Sequence, residues 1–277
     1  MSSQIPVISA SKLDISKISV TKPKKNKDGK LVSYLNFGET GFMIETPTMH
    51  SFGVGKFKDD KKGIDGKYNL TCTQRASGGE TEEAVNHFFE FLKGLDEKMI
   101  DFLIEHSQTF FGETYTKEDR KLVSNAYKKY RIVKEQKNKT TNEPYPPSFK
   151  VSFQTIGDEK KGEEVTPVIQ LLKGKTPVEI NSFDELVEHV PKNSAVRVVI
   201  QPRVYVLNDI AGIKFTARFM KVPEVKRMNL PTSFTFTDDS EGDNNNQTNV
   251  EEEEVVDSEE GEEVVEEEEE EVEEEEE

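Results

Sequence analysis

The chain has 277 residues, of which 37 are Lys or Arg and 54 are Asp or Glu, for a formal net charge of −17. A single cysteine allows no intrachain disulfide and no cysteine-built zinc site, and no apolar run approaches the roughly 18 residues that a membrane-spanning helix needs. The net charge describes neither part of the chain: residues 238–277 hold 24 acidic residues and no Lys or Arg, so residues 1–237 keep 37 basic against 54 − 24 = 30 acidic, a net of +7. A basic body tethered to a polyanion points to a body that binds another polyanion, with the tail as its internal competitor.

Residues 1–16 are Ser-rich and weakly patterned and read as a flexible lead. They lack the charged and apolar regions of a signal peptide, so an intracellular protein without a membrane anchor is expected. A hairpin follows: Ile18 and Val20 alternate with polar neighbours, Lys27-Asp28-Gly29 supplies a turn, and Leu31 to Phe37 runs back. Phe42 to Ile44 begins a third strand, which Pro47 ends or kinks before Met49 to Phe57. Lys67 to Thr73 alternates with period two, placing Tyr68, Leu70 and Cys72 on an inward face.

At Gly78-Gly79 the period changes. Val85, Phe88, Phe89 and Leu92 fall at helical spacing behind a capping Thr81, and Gly94 is expected to stop this helix before a second begins near Asp96. A third is expected from about Lys117 to Val133, making residues 80–133 a helical insertion between strands. A basic loop with three prolines, at 144, 146 and 147, leads to the alternating strand Ser148 to Phe153. Beyond it, Val165 to Leu172 reads as a strand, Phe183 to Val190 as a short helix, Ala195 to Leu207 as a long strand with an edge or bulge at Pro202, and Ile213 to Phe219 as the closing strand. The class is mainly β (α+β), a barrel or sandwich over residues 17–237, followed by an acidic tail at 238–277 whose composition predicts disorder.

No acid–base, nucleophile or metal-ligand spacing appears, so neither catalysis nor a cofactor is expected. His50, His87, His106 and His189 form no ligand pattern, and Gly174-Lys175-Thr176 ends like a phosphate-binding loop but has Ile169 where its first glycine belongs. The recurring feature is aromatic residues interleaved with Lys and Arg, the parts with which a protein holds single-stranded nucleic acid: rings stack on bases and cations follow the phosphates. The aromatic candidates are Phe52, Phe57, Tyr145 and Tyr205, which lie near turns or polar faces; with no Trp, stacking must use Phe and Tyr. The cationic candidates are Lys56, Lys58, Lys67, Arg75, Lys128, Lys129, Arg131, Lys150, Arg197, Arg203, Lys214 and Arg218. Phe215 and Phe219 share a face with Ile213 and Ala217 and are expected to be buried.

The order of these elements resembles a family. Pro47-Thr48-Met49 through Phe52-Gly53-Val54, the Lys67-Tyr68-Asn69-Leu70 strand, the Phe88 to Asp96 helix, Tyr145-Pro146-Pro147-Ser148-Phe149-Lys150-Val151 and Gly212-Ile213-Lys214-Phe215 look like a single-stranded-DNA-binding protein of nucleocytoplasmic large DNA viruses. That family is similar to the OB-fold single-stranded-DNA-binding protein of short-tailed phages, which also carries an acidic C-terminal tail. The resemblance implies an OB-fold-like, partly open barrel and single-stranded DNA as ligand. It also implies a role in viral DNA replication or recombination, recruitment of polymerase and helicase or primase by the tail, a homodimer, and residence in the nucleus or a cytoplasmic replication factory of an infected cell. In the phage proteins the tail ends in an aromatic residue, whereas the last aromatic here is Phe236 and the sequence ends in Glu277. A rival reading makes the tail the binding surface of a chaperone for histones or other basic proteins, with the body serving to oligomerise; a third leaves the tail only a solubilising role.

A flexible forty-residue chain spans about 35 Å, against a radius of gyration near 18 Å for a body of this size, so the tail can reach a groove on the body. Truncation after Phe236 is therefore expected to raise affinity for an oligo-dT strand, most at low salt; a salt titration in which the two proteins bind equally would refute the competitor reading.

Overall fold

A computed structural model describes residues 5–27, 29–59, 64–138, 140–157, 165–207 and 210–223, with the side chains of 57–59 and 64–66 outside the description. The acidic tail, and with it the expected disorder, lies outside the described residues, as do the side chains of Phe57 and Lys58.

Five strands form the centre: β1 (Met49–Asp59), β2 (Ile64–Ala76), β3 (Ser148–Phe153), β4 (Ala195–Leu207) and β5 (Ile210–Val222). β1 pairs antiparallel with β2 and β2 antiparallel with β3, β3 runs parallel to β5, and β5 pairs antiparallel with β4, which returns antiparallel to β1. The spatial order 1-2-3-5-4-1 closes the sheet on itself as a five-stranded Greek-key barrel, the OB-fold. The fold class expected from the sequence is the one observed.

The interior follows from strand parity. Leu70, Cys72, Phe149, Val151, Phe215, Ala217, Val198 and Ile200 point inward and are buried, while their neighbours face out. Burial pushes the Cys72 thiol far above its ordinary range, so it is an inert apolar filler. The two ends of the barrel are closed by helices. At the end where β3 begins, α1 (Glu82–Glu105) sets Phe88 and Phe89 edge-on to Phe149, each with ring centroids 5.7 Å away, and Phe149 meets Phe215 at 5.8 Å. At the other end, α3 (Phe183–His189) stacks Phe183 on Tyr68 at 4.1 Å and meets Phe153 at 5.9 Å. Each such ring pair adds about 0.5–1.5 kcal/mol beyond burial of its area.

Several expectations are corrected. Gly94 does not stop a helix: α1 runs unbroken through it, starting at the capping Thr81, whose hydroxyl accepts from the Ala84 N–H. The glycine is a packing device, since a Cβ there would lie 3.0 Å from Ile15 Cγ1. The described part of the supposed flexible lead, residues 5–16, belongs to the folded body, because Val7–Ser9 pairs parallel with Met43–Glu45 and both Ala10 and Leu13 are buried. The third helix, α2, covers only Arg120–Tyr127, with 3₁₀ turns on either side. Pro202 sits in an unbroken β4, beyond the last residue that pairs with Met43–Glu45, an edge position on that side as expected.

The bulge lies elsewhere. Val199 faces Phe219 but Ile200 faces Ala217, so β5 carries one extra residue, Arg218. The insertion inverts the alternation beyond it: Phe215 and Ala217 are buried, yet Phe219, expected to be buried with them, is 42% exposed.

Asp96 of α1 is buried and holds the chain that follows α2. Its carboxylate accepts from the Tyr127 hydroxyl at 3.0 Å and from the Ile132 N–H at 2.9 Å. Desolvation outweighs these bonds and the nearby Arg131, raising the carboxyl to about 6. An unfolded Asp titrates near 3.9, so the folded state takes up this proton first; the contribution to stability is fully present below about pH 4 and is lost as pH rises through about 6. Between pH 4 and pH 7 the stability difference between the unsubstituted protein and Asp96→Asn is expected to shift by about 2–3 kcal/mol, favouring the unsubstituted protein at the acid end. A difference independent of pH in denaturant titrations would refute the assignment.

Candidate nucleic-acid interface

The outward face of β2, β3, β5 and β4 can be read from the same registers. Thr71 stands beside Lys150, Asn69 beside Ser152, Ser152 beside Thr216, and Arg203 beside Lys214. Lys150, Lys214 and Arg203 are exposed. They come from three adjacent strands, and the outward positions from Lys67 to Thr73 of β2 and along β3, β4 and β5 contain no Asp or Glu. A strip of cations among hydroxyls and amides attracts a polyanion without an internal competitor on the sheet.

Arg218, the bulge residue, is oriented by amides. Its Nε and Nη2 donate to Gln201 Oε1 at 3.0 and 2.6 Å, and its Nη1 donates to Gln154 Oε1. Arg203 Nη2 reaches the same Gln201 oxygen at 3.4 Å. Burial first, and the like charge of Arg203 second, lower the Arg218 pKa, but a guanidinium remains charged at any working pH. Neutral acceptors fix its direction without neutralising it, which leaves the charge for a phosphate.

Tyr205 lies at the hairpin end of β4, half-buried, with its ring over the backbone of Gly212, its partner across the ladder. A Cβ at Gly212 would stand 2.7 Å from that ring. Burial, then Tyr130 and Asp96, raise the Tyr205 pKa, which places the ring near the segment that Asp96 pins. In that segment Lys128 and Lys129 are exposed and Lys129 Nζ lies 5.5 Å from the Tyr130 ring centre. Arg131 is instead committed to the fold, donating to Ser124 Oγ at 3.1 Å and pairing with Glu97 at 3.9 Å. Tyr145 is 48% exposed on the loop before β3, where its N–H is held by the Gln136 carbonyl.

Other candidates lie apart from this strip. Phe52 is 48% exposed, but its ring meets His50 edge-on at 5.6 Å, and His50 is tied to Thr73 and to Asn193 of the loop before β4. Lys56 Nζ lies 5.8 Å from the Tyr68 ring centre, at the end closed by α3. Lys67 and Arg75 are exposed near opposite ends of β2. Arg197 pairs with Glu45 at 3.1 Å, so its charge is partly spent.

Sequence reasoning missed three features. Lys22, Lys24, Lys25, Lys27 and Lys30 form an exposed basic hairpin whose return strand, Leu31–Val32, lies beside β4; the run was visible, but it contains no aromatic residue to draw notice. Gln154 and Gln201 gave no signal, because an amide acquires this role only through its partner. Phe219 shares the core parity of Phe215 in sequence, and the bulge reverses it. Among the described residues no group of three or more His, Cys, Asp or Glu could hold a metal ion.

No family model matches the chain, and no curated protein sequence matches it. Among solved structures, the chain is similar to the single-stranded DNA-binding protein from bacteriophage Enc34 in complex with single-stranded DNA, with 12% identity and a TM-score of 0.39 over 74% of this chain and 96% of that one. The C-terminal truncation of the same phage protein gives 12% identity and a TM-score of 0.39 over 76% of this chain and 98% of that one. The single-stranded DNA-binding protein gp2.5 encoded by bacteriophage T7 gives 10% and 0.32 over 73% of this chain and 98% of that one.

The seating of Tyr205 on Gly212 can be measured. Gly212→Ala is expected to destabilise the fold by about 1–3 kcal/mol through overpacking, and Tyr205→Ala in the same chain to remove most of that cost. Additive effects in a double-mutant cycle would show that the ring lies elsewhere.

Proposed function

We propose that this protein binds single-stranded DNA with little sequence preference, along the outward face of β3, β5 and β4. The observation that carries the reading is the carboxylate-free strip of Lys150, Lys214 and Arg203 on an OB barrel. In that fold the usual oligonucleotide surface is the strands 2–3 face with the loops joining strands 1–2 and 4–5; the strip shares β3 with it and continues over β5 and β4. The strand's phosphates run over these cations and the amide-held Arg218, and rim rings such as Tyr145 and Tyr205 take unstacked bases. The interior aromatics cannot do so, because Phe149 and Phe215 are buried.

The finer reading is a coat for single strands during viral DNA replication or recombination. Here the acidic tail competes for the strip and, once displaced, is free for basic surfaces of replication partners, with the protein as a homodimer. The tail's 24 acidic residues also favour one rival, a chaperone of basic proteins. The tail-less body separates the two, since it keeps DNA binding under the first reading and loses histone binding under the second.

The decisive measurement is fluorescence polarisation with labelled oligo-dT and duplex DNA. Single strands are expected to bind tighter, with log affinity falling against log salt, and the paired substitutions Arg203→Ala and Lys214→Ala are expected to flatten that slope by about 0.7 per lost phosphate contact. Equal affinity for duplex, or a slope indifferent to both substitutions, would overturn the reading.

A further inference from the structure

The bulge at Arg218 leaves an exposed ring beside a half-buried arginine and an exposed lysine on a part of the sheet outside the usual OB binding face. Phe219 is 42% exposed on β5 and stands opposite Val199 of β4 and Gln170 of the added strand Gln170–Lys173, which runs parallel to β5. Leu172, 38% exposed, lies on the same face beside Lys221. Phe219, Leu172, Ile169 and Pro177 line a cleft of about 440 Å³, with Glu179 also on its wall. Lys221 is exposed two residues beyond the ring, and Arg218, immediately before it, is the guanidinium oriented by Gln201 and Gln154. From Lys214 to Phe219 the strand advances about 15 Å, so the cleft continues the cationic strip.

We propose that this cleft is a further nucleotide subsite: one unstacked base of a single strand lies against Phe219, and its flanking phosphates rest on Arg218 and Lys221. The inference depends on the single-strand reading above and extends the strand's path across β5 onto the added strand. An exposed ring bracketed by cations fits a base with its phosphates, because every base offers a π-face and the charge is complementary. An apolar partner would cover Arg218 and Lys221 without bringing a counter-charge of its own. A protein partner in the form of a second copy is an outcome the experiment distinguishes.

The chain contains no Trp, so Phe219→Trp places a single indole at the site. Titration of the full-length Phe219→Trp protein with oligo-dT is expected to quench the indole emission, whereas an abasic strand of equal length, which keeps the phosphates, leaves it unchanged. Phe219→Ala is expected to weaken oligo-dT binding by about fivefold or more, with the salt slope preserved. If labelled oligo-dT binds the unsubstituted protein while the indole is indifferent to it and Phe219→Ala binds as tightly, the subsite is overturned and the single-strand reading stands. An emission shift that follows protein concentration without DNA assigns the patch to a second copy and overturns the subsite. Failure of the unsubstituted protein to bind any single strand overturns both.

Discussion

One inserted residue sets the shape on which the rest depends. On one edge β5 has to serve two partners in turn: residues 215–217 pair with β3 and close the barrel, while residues 219–222 pair with the added strand Gln170–Lys173, the ladder to β4 continuing on the other edge. Arg218 falls between the two stretches, where the register with β4 slips. A bulge bends a strand and sharpens its twist, which is what a strand needs in order to exchange one neighbour for another and carry the same sheet beyond the barrel. The same slip turns a basic side chain and an aromatic one outward together, so architecture and surface chemistry have one origin.

Much of this fold was legible as alternation. Leu70 with Cys72, and Phe149 with Val151, read as inward pairs because each strand has one wet face and one dry face, and the burial agrees. The helix beginning at Thr81 was legible from its cap and apolar spacing. What failed, failed for nonlocal reasons. Gly94 looks like a stop in one dimension, but its meaning is set by Ile15, nearly eighty residues away. Phe219 follows the parity of Phe215 in sequence, and only the count of residues on β4 reveals the extra one.

The candidate site was legible in its cations more than in its geometry. Lys150, Arg203 and Lys214 could be chosen as the outward partners of buried neighbours, whereas Arg131 and Arg197 carry the same charge in the sequence and turn out to face Glu97 and Glu45. A partner carboxylate decides whether an arginine serves the fold or the solvent, and that partner sits on another element. Asp96 illustrates the inverse: an acidic residue within a basic region holds the backbone that presents Lys128 and Lys129. Where the protein orients a guanidinium for the outside, as at Arg218, it uses glutamines, which direct without discharging.

Cys72 lies inside the barrel on β2, opposite Phe149 of β3 in the ladder. The sulfur therefore meets solvent only when β2 parts from a neighbouring strand or a helical cap lifts. Its rate of reaction with a thiol reagent is then a clock for opening of the barrel, ticking in the interior of a protein whose outer surface carries no competing thiol.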